Sequence, residues 1–438
     1  MRARLSGLLY SFLWRLALPL VLLRLFKRGR SEPGYRRHVA ERLGVYRSGL
    51  TQTGNDFKRA PVWVHAVSLG EVRASQPLVQ RLLRQGYSVL LTHMTATGRA
   101  EGARLYEHAL AEGKLKQCWL PYDLPGAAAR FFRAFEPRCG LLIETEVWPN
   151  AVFQARRYGV PLVLVSGRMS AGSHQKNRVL RKFAKKVYGS LALSLAQTQA
   201  DADRLGDLGA DPVRVVGNLK FDLNLPAALL QLGLQWRQAL QQPVLALAST
   251  REGEEAMFIQ HWKASGCAPG LAGRPLALMI PRHPQRFDAV AELLEQAGIR
   301  YVRRSRLQNL HDCVLPAGTQ VILGDSLGEM PLYYAASELA IIGGSFAPLG
   351  GQNLIEANAC GVPVIVGPHT FNFSQAVDDA LEAGAALRAP SAGEAWQQAL
   401  ALLADPHDMA ARREAAKDFS GAHAGATSRV MWAIADYL

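Results

Sequence analysis

Cysteine is scarce in this sequence, and the five cysteines form no Cys-x-x-Cys pair. Neither a disulfide framework nor a zinc site is therefore predicted, and a reducing compartment fits. The sequence has no Gly-x-x-x-x-Gly-Lys-Ser/Thr run, which argues against a P-loop nucleotidase. Long biased tracts are also missing. With 49% hydrophobic and 20% charged residues, the composition is typical of a folded globular protein.

Acidic residues are in the minority in the first half of the chain only. Residues 1–225 contain 35 Lys and Arg against 16 Asp and Glu, whereas residues 226–438 contain 15 against 20. The net charge of +14 is therefore carried by the first half. This asymmetry predicts an anionic partner for that half, and on charge alone nucleic acid, anionic lipid and an ordinary solvated surface all remain open.

A nearly continuous apolar run from Leu8 to Phe26 favours lipid over nucleic acid. At about 1.5 Å per residue the run approaches the roughly 30 Å hydrocarbon thickness of a bilayer. No small-residue cleavage site follows, which argues against a removed signal peptide. Arg15 near the middle makes a clean crossing costly, so a helix in the membrane plane, a single crossing and a buried core helix all stay open. We predict a membrane-anchoring segment over residues 1–30, a membrane surface as partner, and no nucleic-acid partner.

Short apolar runs alternate with helical patterns from about residue 61 onward. Continuous Val/Leu/Ile runs are typical of parallel strands buried on both faces, and their alternation with helices indicates doubly wound α/β architecture. The predicted strands are 61–68, 87–94, 139–145, 161–167 and 191–197, then 243–249, 275–281, 319–325, 338–344 and 362–368. With the connection placed within 222–236, we predict two Rossmann-like domains, 31–225 and 226–438. Two such domains facing across a cleft form the GT-B fold of glycosyltransferases.

Charged side chains follow predicted strands of the first domain. Ser68-Leu-Gly-Glu71 opens a helix, so Glu71 is a candidate general base for an acceptor hydroxyl; a first-turn glutamate that complements the helix dipole is the alternative. Glu144 and Glu146 lie two residues apart and point to the same side if the strand geometry persists. Lys220 is a candidate to neutralise a leaving phosphate or an anionic sugar, or else a surface lysine.

Two motifs of the second predicted domain suit a nucleotide. Arg282, flanked in Pro281-Arg-His-Pro284, offers a planar fork of donors to phosphate. A glycine-rich run beginning at Gly343 lets backbone amides approach a phosphate closely, and Glu356 in the next helix suits a ribose hydroxyl. In open parallel sheets, ligands bind beyond the carboxyl ends of the strands, which is where all of these motifs fall.

Taken together, the motifs resemble those of the 3-deoxy-D-manno-octulosonic acid (Kdo) transferases of lipopolysaccharide synthesis, over essentially the whole chain. The segments that carry the resemblance include Ser68–Glu71, Leu120–Pro125, Glu144–Asn150, Gly217–Asp222, Pro281–Pro284 and Gly367–Phe373. The resemblance implies a GT-B fold and an inverting transferase that moves Kdo from CMP-Kdo to a tetra-acylated, phosphorylated lipid A precursor. It also implies the inner membrane of the cell as the location, with the catalytic domains on the cytoplasmic side.

The resemblance also implies roles for individual residues. Glu71 is implied as the catalytic base, and Glu144 and Lys220 as stabilisers of the transition state. The implied CMP-binding positions are Pro281, Arg282, Leu327, Gly328, Glu329, Asn353, Leu354, Ile355 and Glu356. Because CMP leaves as a monophosphate, basic side chains and a helix terminus suffice to offset its charge, and no metal is predicted. A GT-B transferase that uses a UDP-sugar, and a membrane protein that binds glycolipid without catalysis, remain the alternatives.

Overall fold

The computed structural model describes residues 2–47, 50, 60–223, 225–264 and 273–438. The chain divides into two compact units: Met1–Asp222 with Ala424–Leu438, and Leu223–His423. The chain leaves the first unit close to the predicted boundary at residue 225. The second unit is shorter than the predicted second domain, 226–438, because the last segment of the chain, Ala424–Leu438, returns to the first unit.

The first unit contains a parallel sheet of seven strands among the described residues. Its strands are β1 Val62–His65, β2 Val89–His93, β3 Leu115–Trp119, β4 Cys139–Ile143, β5 Leu162–Gly167, β6 Leu193–Ala196 and β7 Val213–Val215. They lie in the order β3-β2-β1-β4-β5-β6-β7, and every pair of neighbours is parallel. The order reverses between β1 and β4, so this sheet has its crevice beyond the carboxyl ends of those two strands.

The second unit contains a parallel sheet of the same size within the described ranges. Its strands are β8 Val244–Thr250, β9 Leu276–Pro281, β10 Tyr301–Arg303, β11 Val321–Leu323, β12 Leu339–Ile342, β13 Val364–Val366 and β14 Ala386–Arg388. They lie in the order β10-β11-β9-β8-β12-β13-β14. All neighbours are again parallel, and the order reverses between β8 and β12. The predicted doubly wound α/β architecture is thus confirmed for both halves.

Helices connect the strands and cover both faces of each sheet. Up to β7 they are α1 Arg2–Ser31, α2 Leu69–Ala74, α3 Gln76–Arg84, α4 Ala96–Leu105, α5 Glu107–Ala111, α6 Pro125–Phe135, α7 Pro149–Arg157, α8 Ala171–Val179, α9 Arg181–Tyr188 and α10 Gln199–Asp207. After β7 they are α11 Ala227–Leu240, α12 Glu254–Ala264, α13 Phe287–Gln296, α14 Met330–Ala335, α15 Ile355–Ala359, α16 Ser374–Glu382, α17 Ala392–Ala404, α18 Pro406–His423 and α19 Ala426–Ala433.

The C-terminal helix α19 belongs to the first unit because its apolar face completes that unit's core. Val430 and Ile434 are fully buried among strand residues such as Val62 and Leu141. Asp222 holds the start of the helix: its carboxylate accepts hydrogen bonds from the backbone N–H groups of Gly425, at 2.6 Å, and of Thr427. These contacts explain why the segment from 424 leaves the second unit.

The ten predicted strands are all present, with ends shifted by a few residues. Four further strands, β3, β7, β10 and β14, are the two outer strands of each sheet. Outer strands pair on one side only and tolerate polar residues, so their sequences lack the continuous apolar run on which the prediction depended. Lys116 and Gln117 interrupt β3, and Arg214 interrupts β7.

Over Ser6–Ser31, helix α1 is long and apolar enough to cross a membrane. The predicted apolar N-terminal helix is confirmed as a helix, and it is part of the first unit. Its role as an anchor stays a prediction at this point.

Candidate active site

Glu71 lies in the first turn of α2, directly beyond the carboxyl end of β1. Ser68 caps this helix: its hydroxyl accepts from the Glu71 backbone N–H at 3.4 Å and donates to Glu71 Oε1 at 2.9 Å. Glu71 Oε2 accepts from the Val67 N–H at 2.8 Å. Ser68 and Glu71 thus cap the helix together, with the glutamate accepting from the N–H of the residue before the N-cap, and these bonds fix the carboxylate in one orientation.

The pKa of Glu71 is raised from its ordinary value to about 7. Burial is the largest cause, and the charges of Glu146 and Glu144 raise it further; the hydrogen bonds from Val67 and Ser68 oppose the shift. A simple helix-capping glutamate in water would keep an ordinary pKa. Near neutral pH this carboxylate therefore exchanges a proton readily, which is the property that a general base needs.

Glu144 and Lys220 form an ion pair, with Lys220 Nζ 2.7 Å from Glu144 Oε1. Glu144 follows β4 in the left-handed region, at φ 59°, so the strand geometry does not continue to Glu146. The condition under which the two carboxylates would point to the same side is therefore not met. A non-glycine residue in that region is costly and is held by its surroundings. Here the Glu144 N–H donates to Val165 O at 3.0 Å, and the Arg168 N–H donates to Glu144 O at 3.2 Å.

Glu146 is held between an indole and a buried histidine. Trp148 Nε1 donates to Glu146 Oε2 at 2.9 Å, and His65 Nε2 lies 4.0 Å from the same oxygen. Burial raises the pKa of Glu146, and the charge of Glu144 adds to the effect. Burial lowers the pKa of His65 to about 3, with the nearby His93 adding to the shift, so His65 is neutral at physiological pH. The three predicted carboxylates of this unit therefore lie within electrostatic reach of one another.

Positive side chains gather beyond β8 and β9 in the second unit. Arg282 directly follows β9, and its Nε donates to Gln352 Oε1 at 3.1 Å. Burial lowers the pKa of His283, and the charges of Arg251, Arg282 and Arg286 lower it further. Arg286 is paired with Glu255 at 3.0 Å. Guanidinium groups are thus concentrated beyond the carboxyl ends of β8 and β9, where a doubly wound sheet binds phosphate.

The glycine-rich run after β12 holds a carboxylate of the protein itself, which the sequence analysis did not predict. Glu254, fully buried, accepts from the N–H groups of Gly344 at 2.7 Å and Arg251 at 2.9 Å through Oε2. Its Oε1 accepts from those of Phe346 and Ala347. For Gly344, Phe346 and Ala347, the expectation that backbone amides of this run meet a phosphate is therefore corrected. They are already bonded, and the run serves to fix the loop.

Close approach explains the glycine at the start of that run. A Cβ on Gly343 would lie 2.6 Å from Ser249 O and from Thr250 Cα, so a side chain there would collide with the end of β8. The two loops that follow β8 and β12 can therefore pack together only with glycine at this position.

The other implied CMP-binding positions have different environments. Leu327 is exposed and Gly328 has φ 80°, whereas Glu329 Oε1 accepts from Arg304 at 2.8 Å. Asn353 Oδ1 accepts from the Ile355 N–H at 3.0 Å and so caps α15. The side chains of Leu354 and Ile355 are buried in the core. These two residues can offer a ligand only backbone groups, while Asn353 and Glu356 keep partly exposed side chains.

Comparison with known proteins now decides the family. A family model described as 3-deoxy-D-manno-octulosonic-acid transferase (kdotransferase) matches residues 37–223. A 3-deoxy-D-manno-octulosonic acid transferase of Bordetella pertussis is 55% identical over 386 residues, which cover 86% of this chain and 88% of the relative. One from Haemophilus influenzae is 33% identical over 407 residues, 90% of each chain.

The chain belongs to the 3-deoxy-D-manno-octulosonic acid transferase family. It is thus a glycosyltransferase, as the resemblance implied. A crystal structure of UDP-GlcNAc 2-epimerase from Neisseria meningitidis, bound to UDP-GlcNAc, matches with a TM-score of 0.54 at 14% identity. The match covers 86% of this chain and all of that one, and it shows the shared two-unit fold of the GT-B class.

Several residues of the candidate site of this Kdo transferase were not predicted from the sequence. Glu254 and Arg251 lie in the Thr-Arg-Glu-Gly-Glu-Glu run after β8, whose acidic residues look like an ordinary exposed helix start. Gln352 is uncharged, so nothing in the sequence marked it as a binding residue. His65 lies within an apolar strand, where a histidine is usually a core residue. The sequence does show two adjacent glutamates, Glu254 and Glu255, after a glycine at the end of a strand. Their role becomes clear only once the fold shows which loop lies against them.

Proposed function

We propose that this chain transfers Kdo from CMP-Kdo to a phosphorylated lipid A precursor, with Glu71 as the general base. Its family membership supports the reaction. The observation that carries the assignment of the base is the Glu71 carboxylate, oriented by Ser68 and Val67, with its pKa raised to about 7. A fixed carboxylate that titrates near neutral pH accepts a proton from a hydroxyl more readily than an exposed one does.

In the proposed step, an acceptor hydroxyl oxygen attacks the anomeric carbon of Kdo and passes its proton to Glu71. A glycosidic bond forms with inversion, the bond between that carbon and the phosphate oxygen breaks, and CMP leaves with the electron pair. The Lys220 ammonium, held 2.7 Å from Glu144, supplies a fixed positive charge for the anionic sugar or the leaving group. Glu144 keeps that ammonium in place and adds to the negative field at Glu71.

The second unit is proposed to bind the nucleotide. Arg251 and Arg282 beyond β8 and β9 suit a monophosphate, whose charge two guanidinium groups offset. Asn353, Glu356 and the backbone of Leu354 and Ile355 suit the ribose and base. Pro281 and the Leu327–Glu329 turn are the other positions that the resemblance implies for CMP. Because the charge is offset by side chains, we predict that chelation of divalent cations leaves turnover unchanged.

The test uses the purified full-length chain with CMP-Kdo and a tetra-acylated, bisphosphorylated lipid A precursor, with products weighed by mass spectrometry. Glu71→Gln should keep CMP affinity and lose at least about 100-fold in turnover. Glu107→Gln, the same change at an exposed position of α5, is the matched control. Near-normal turnover by Glu71→Gln would refute the base, and a protein that fails to consume CMP-Kdo at all would refute the reaction.

A second pair of measurements separates the donors. Competition by CMP but not by UDP is expected if the donor is CMP-Kdo, and the reverse favours a UDP-sugar. Arg282→Ala should weaken CMP binding measured by calorimetry, because it removes a guanidinium from the basic edge, while binding of the lipid acceptor stays unchanged. Equal CMP affinity in Arg282→Ala and the parent protein would remove Arg282 from the donor site.

A further inference from the structure

Helix α1 has two opposite faces, and only one of them is covered by the protein. On the covered face, the Tyr10 hydroxyl donates to Asp123 Oδ2 at 2.9 Å and the Ser11 hydroxyl to Asn150 Oδ1 at 3.0 Å. Trp14 stacks on Tyr122, with ring centroids 6.1 Å apart. Farther along, the side chain of Leu25 is buried and Gly29 lies against Arg36.

These contacts run along almost the whole helix. From Gly7, which lies against Phe183, to Gly29 the helix covers about 33 Å at 1.5 Å per residue. That length matches the hydrocarbon thickness of a bilayer. A helix that crossed a bilayer would have one end on the far side, out of reach of a folded unit on the near side. Contacts with one unit near both ends are incompatible with a crossing.

The opposite face is apolar and exposed. Its residues are Leu8, Leu9, Phe12, Leu13, Leu16, Leu20, Leu23 and Phe26. At about 100° per residue they form one stripe, opposite Ser11 and Leu25. Arg15 and Arg24 fall about 90° to either side of the middle of the stripe, and both are exposed. An apolar stripe with basic residues along both edges is typical of helices that lie in the membrane interface.

We propose that α1 lies in the plane of an anionic membrane, between the bilayer and the first unit, and does not cross it. The apolar stripe enters the acyl region, while Arg15 and Arg24 extend to lipid phosphates on either side. The positive charge of the first half of the chain selects a negatively charged surface. In this position Arg15 is no longer at the centre of the hydrocarbon, which removes the cost that a crossing would carry.

The inference deepens the proposed function, on which it rests for the lipid nature of the acceptor. Trp14 also packs against Trp148, at 6.3 Å between ring centroids, and Trp148 donates to Glu146. Asn150, the partner of Ser11, lies in the same segment. The anchor therefore contacts the segment that carries Glu144 and Glu146, so the carboxylate cluster is held near the membrane surface, where a lipid acceptor presents its sugar.

Topology is the first test. Cleavable tags are added to both ends of the full-length chain, and a protease is applied to spheroplasts and to inverted inner-membrane vesicles. The proposal expects both tags to be cut in inverted vesicles alone, since both ends lie on one face. Cleavage of the N-terminal tag in spheroplasts, with the C-terminal tag protected, would establish a crossing and overturn the proposal.

The second test measures thermal stability, because a docked helix and a crossing helix predict opposite changes in the unfolding temperature. Ser11→Leu removes a polar group, which favours a crossing helix, yet it breaks a buried hydrogen bond in the docked helix. We expect a lower unfolding temperature for Ser11→Leu in detergent and no change for Phe12→Leu, the exposed neighbour. An unchanged or higher temperature for Ser11→Leu would contradict docking.

Vesicle binding is the third test. The full-length protein is floated with vesicles of phosphatidylglycerol and phosphatidylethanolamine or of phosphatidylcholine alone. Leu16→Glu together with Leu20→Glu should reduce binding to the first at least about tenfold. Arg15→Gln with Arg24→Gln should reduce the preference for the anionic vesicles, because two of the basic residues nearest the bilayer are lost. Unchanged vesicle binding by the protein with Leu16→Glu and Leu20→Glu would refute the apolar stripe of α1 as the membrane-binding surface. Because no assay here uses CMP-Kdo, failure would leave transfer to a detergent-solubilised acceptor as an independent measure of the proposed function.

Discussion

At the scale of single residues, the candidate site depends on carboxylates that burial makes difficult to ionise. Glu71 and Glu146 both have raised pKa values, with burial as the first cause in each case. Glu144 is instead paired directly with Lys220. The cluster thus places two buried carboxylates with raised pKa values beside an ion pair, and different environments of this kind can assign different roles to chemically similar groups.

Glu146→Gln tests this coupling. Among the neighbouring charges, that of Glu146 raises the pKa of Glu71 most, so its removal should lower that pKa and move the rising limb of kcat/KM to lower pH. The glutamine keeps an oxygen for the Trp148 indole, so the loop should be retained. A pH–rate profile of the variant against the parent measures the shift. An identical midpoint in both would show that Glu146 does not act on the base.

Glu254→Gln tests the loop after β12. Four backbone N–H groups point at the two oxygens of Glu254, so the amide NH₂ of glutamine must face donors. We expect the variant to lose about 1–3 kcal/mol in the free energy of unfolding. Glu252→Gln, two residues earlier and exposed, is the matched control. Urea unfolding compares the two, and equal stabilities would show that the loop does not depend on this carboxylate.

At the scale of elements, the C-terminal helix α19 is the clearest departure from the predicted organisation. Ile434 is the C-terminal cap of this helix, and Ile434→Ala should cost about 2–5 kcal/mol of stability because its side chain is fully buried in the core of the first unit. Trp432→Ala removes a larger side chain from the same helix but one that is 76% exposed, and it should change stability little. Thermal unfolding of both variants measures the difference. A larger loss for Trp432→Ala would contradict the docking of this helix.

The central strands of both sheets could be predicted from sequence because burial on both faces leaves an unmistakable apolar run. The outer strand β3, with Lys116 and Gln117, gives no such signal. Glu71 could be named as a candidate base from its position at a strand end, since parallel sheets bind ligands there. The role of Glu254 could not be predicted, because three of its four donors, the N–H groups of Gly344, Phe346 and Ala347, lie 90 to 93 residues farther along the chain. Likewise the destination of α19 depends on which core its apolar face completes, which local periodicity does not specify.

At the scale of the whole molecule, the excess of basic residues belongs to one of the two structural units. The segment that returns to the first unit, 424–438, has Arg429 and Asp436 and adds no net charge, so the basic excess of residues 1–225 is that of the first unit. The apolar stripe of α1 is on the same unit. Attraction to an anionic surface and burial of the stripe thus act together on one half of the chain.

The candidate base should also lower the stability of the whole protein at alkaline pH. The pKa of Glu71 is about 7 when folded and near 4.5 when unfolded, so between these values the folded state binds more protons. Its contribution to stability therefore falls as pH rises from about 4.5 to 7 and stays low above. Glu71→Gln removes this dependence. The unfolding temperature of Glu71→Gln is measured from pH 5 to 8 together with those of the parent protein and Glu107→Gln. The difference in unfolding temperature between Glu71→Gln and the parent should shift in favour of the variant as pH rises. A gap that stays constant would mean that Glu71 ionises as easily in the folded protein as in water, and its assignment as the base would lose its physical basis.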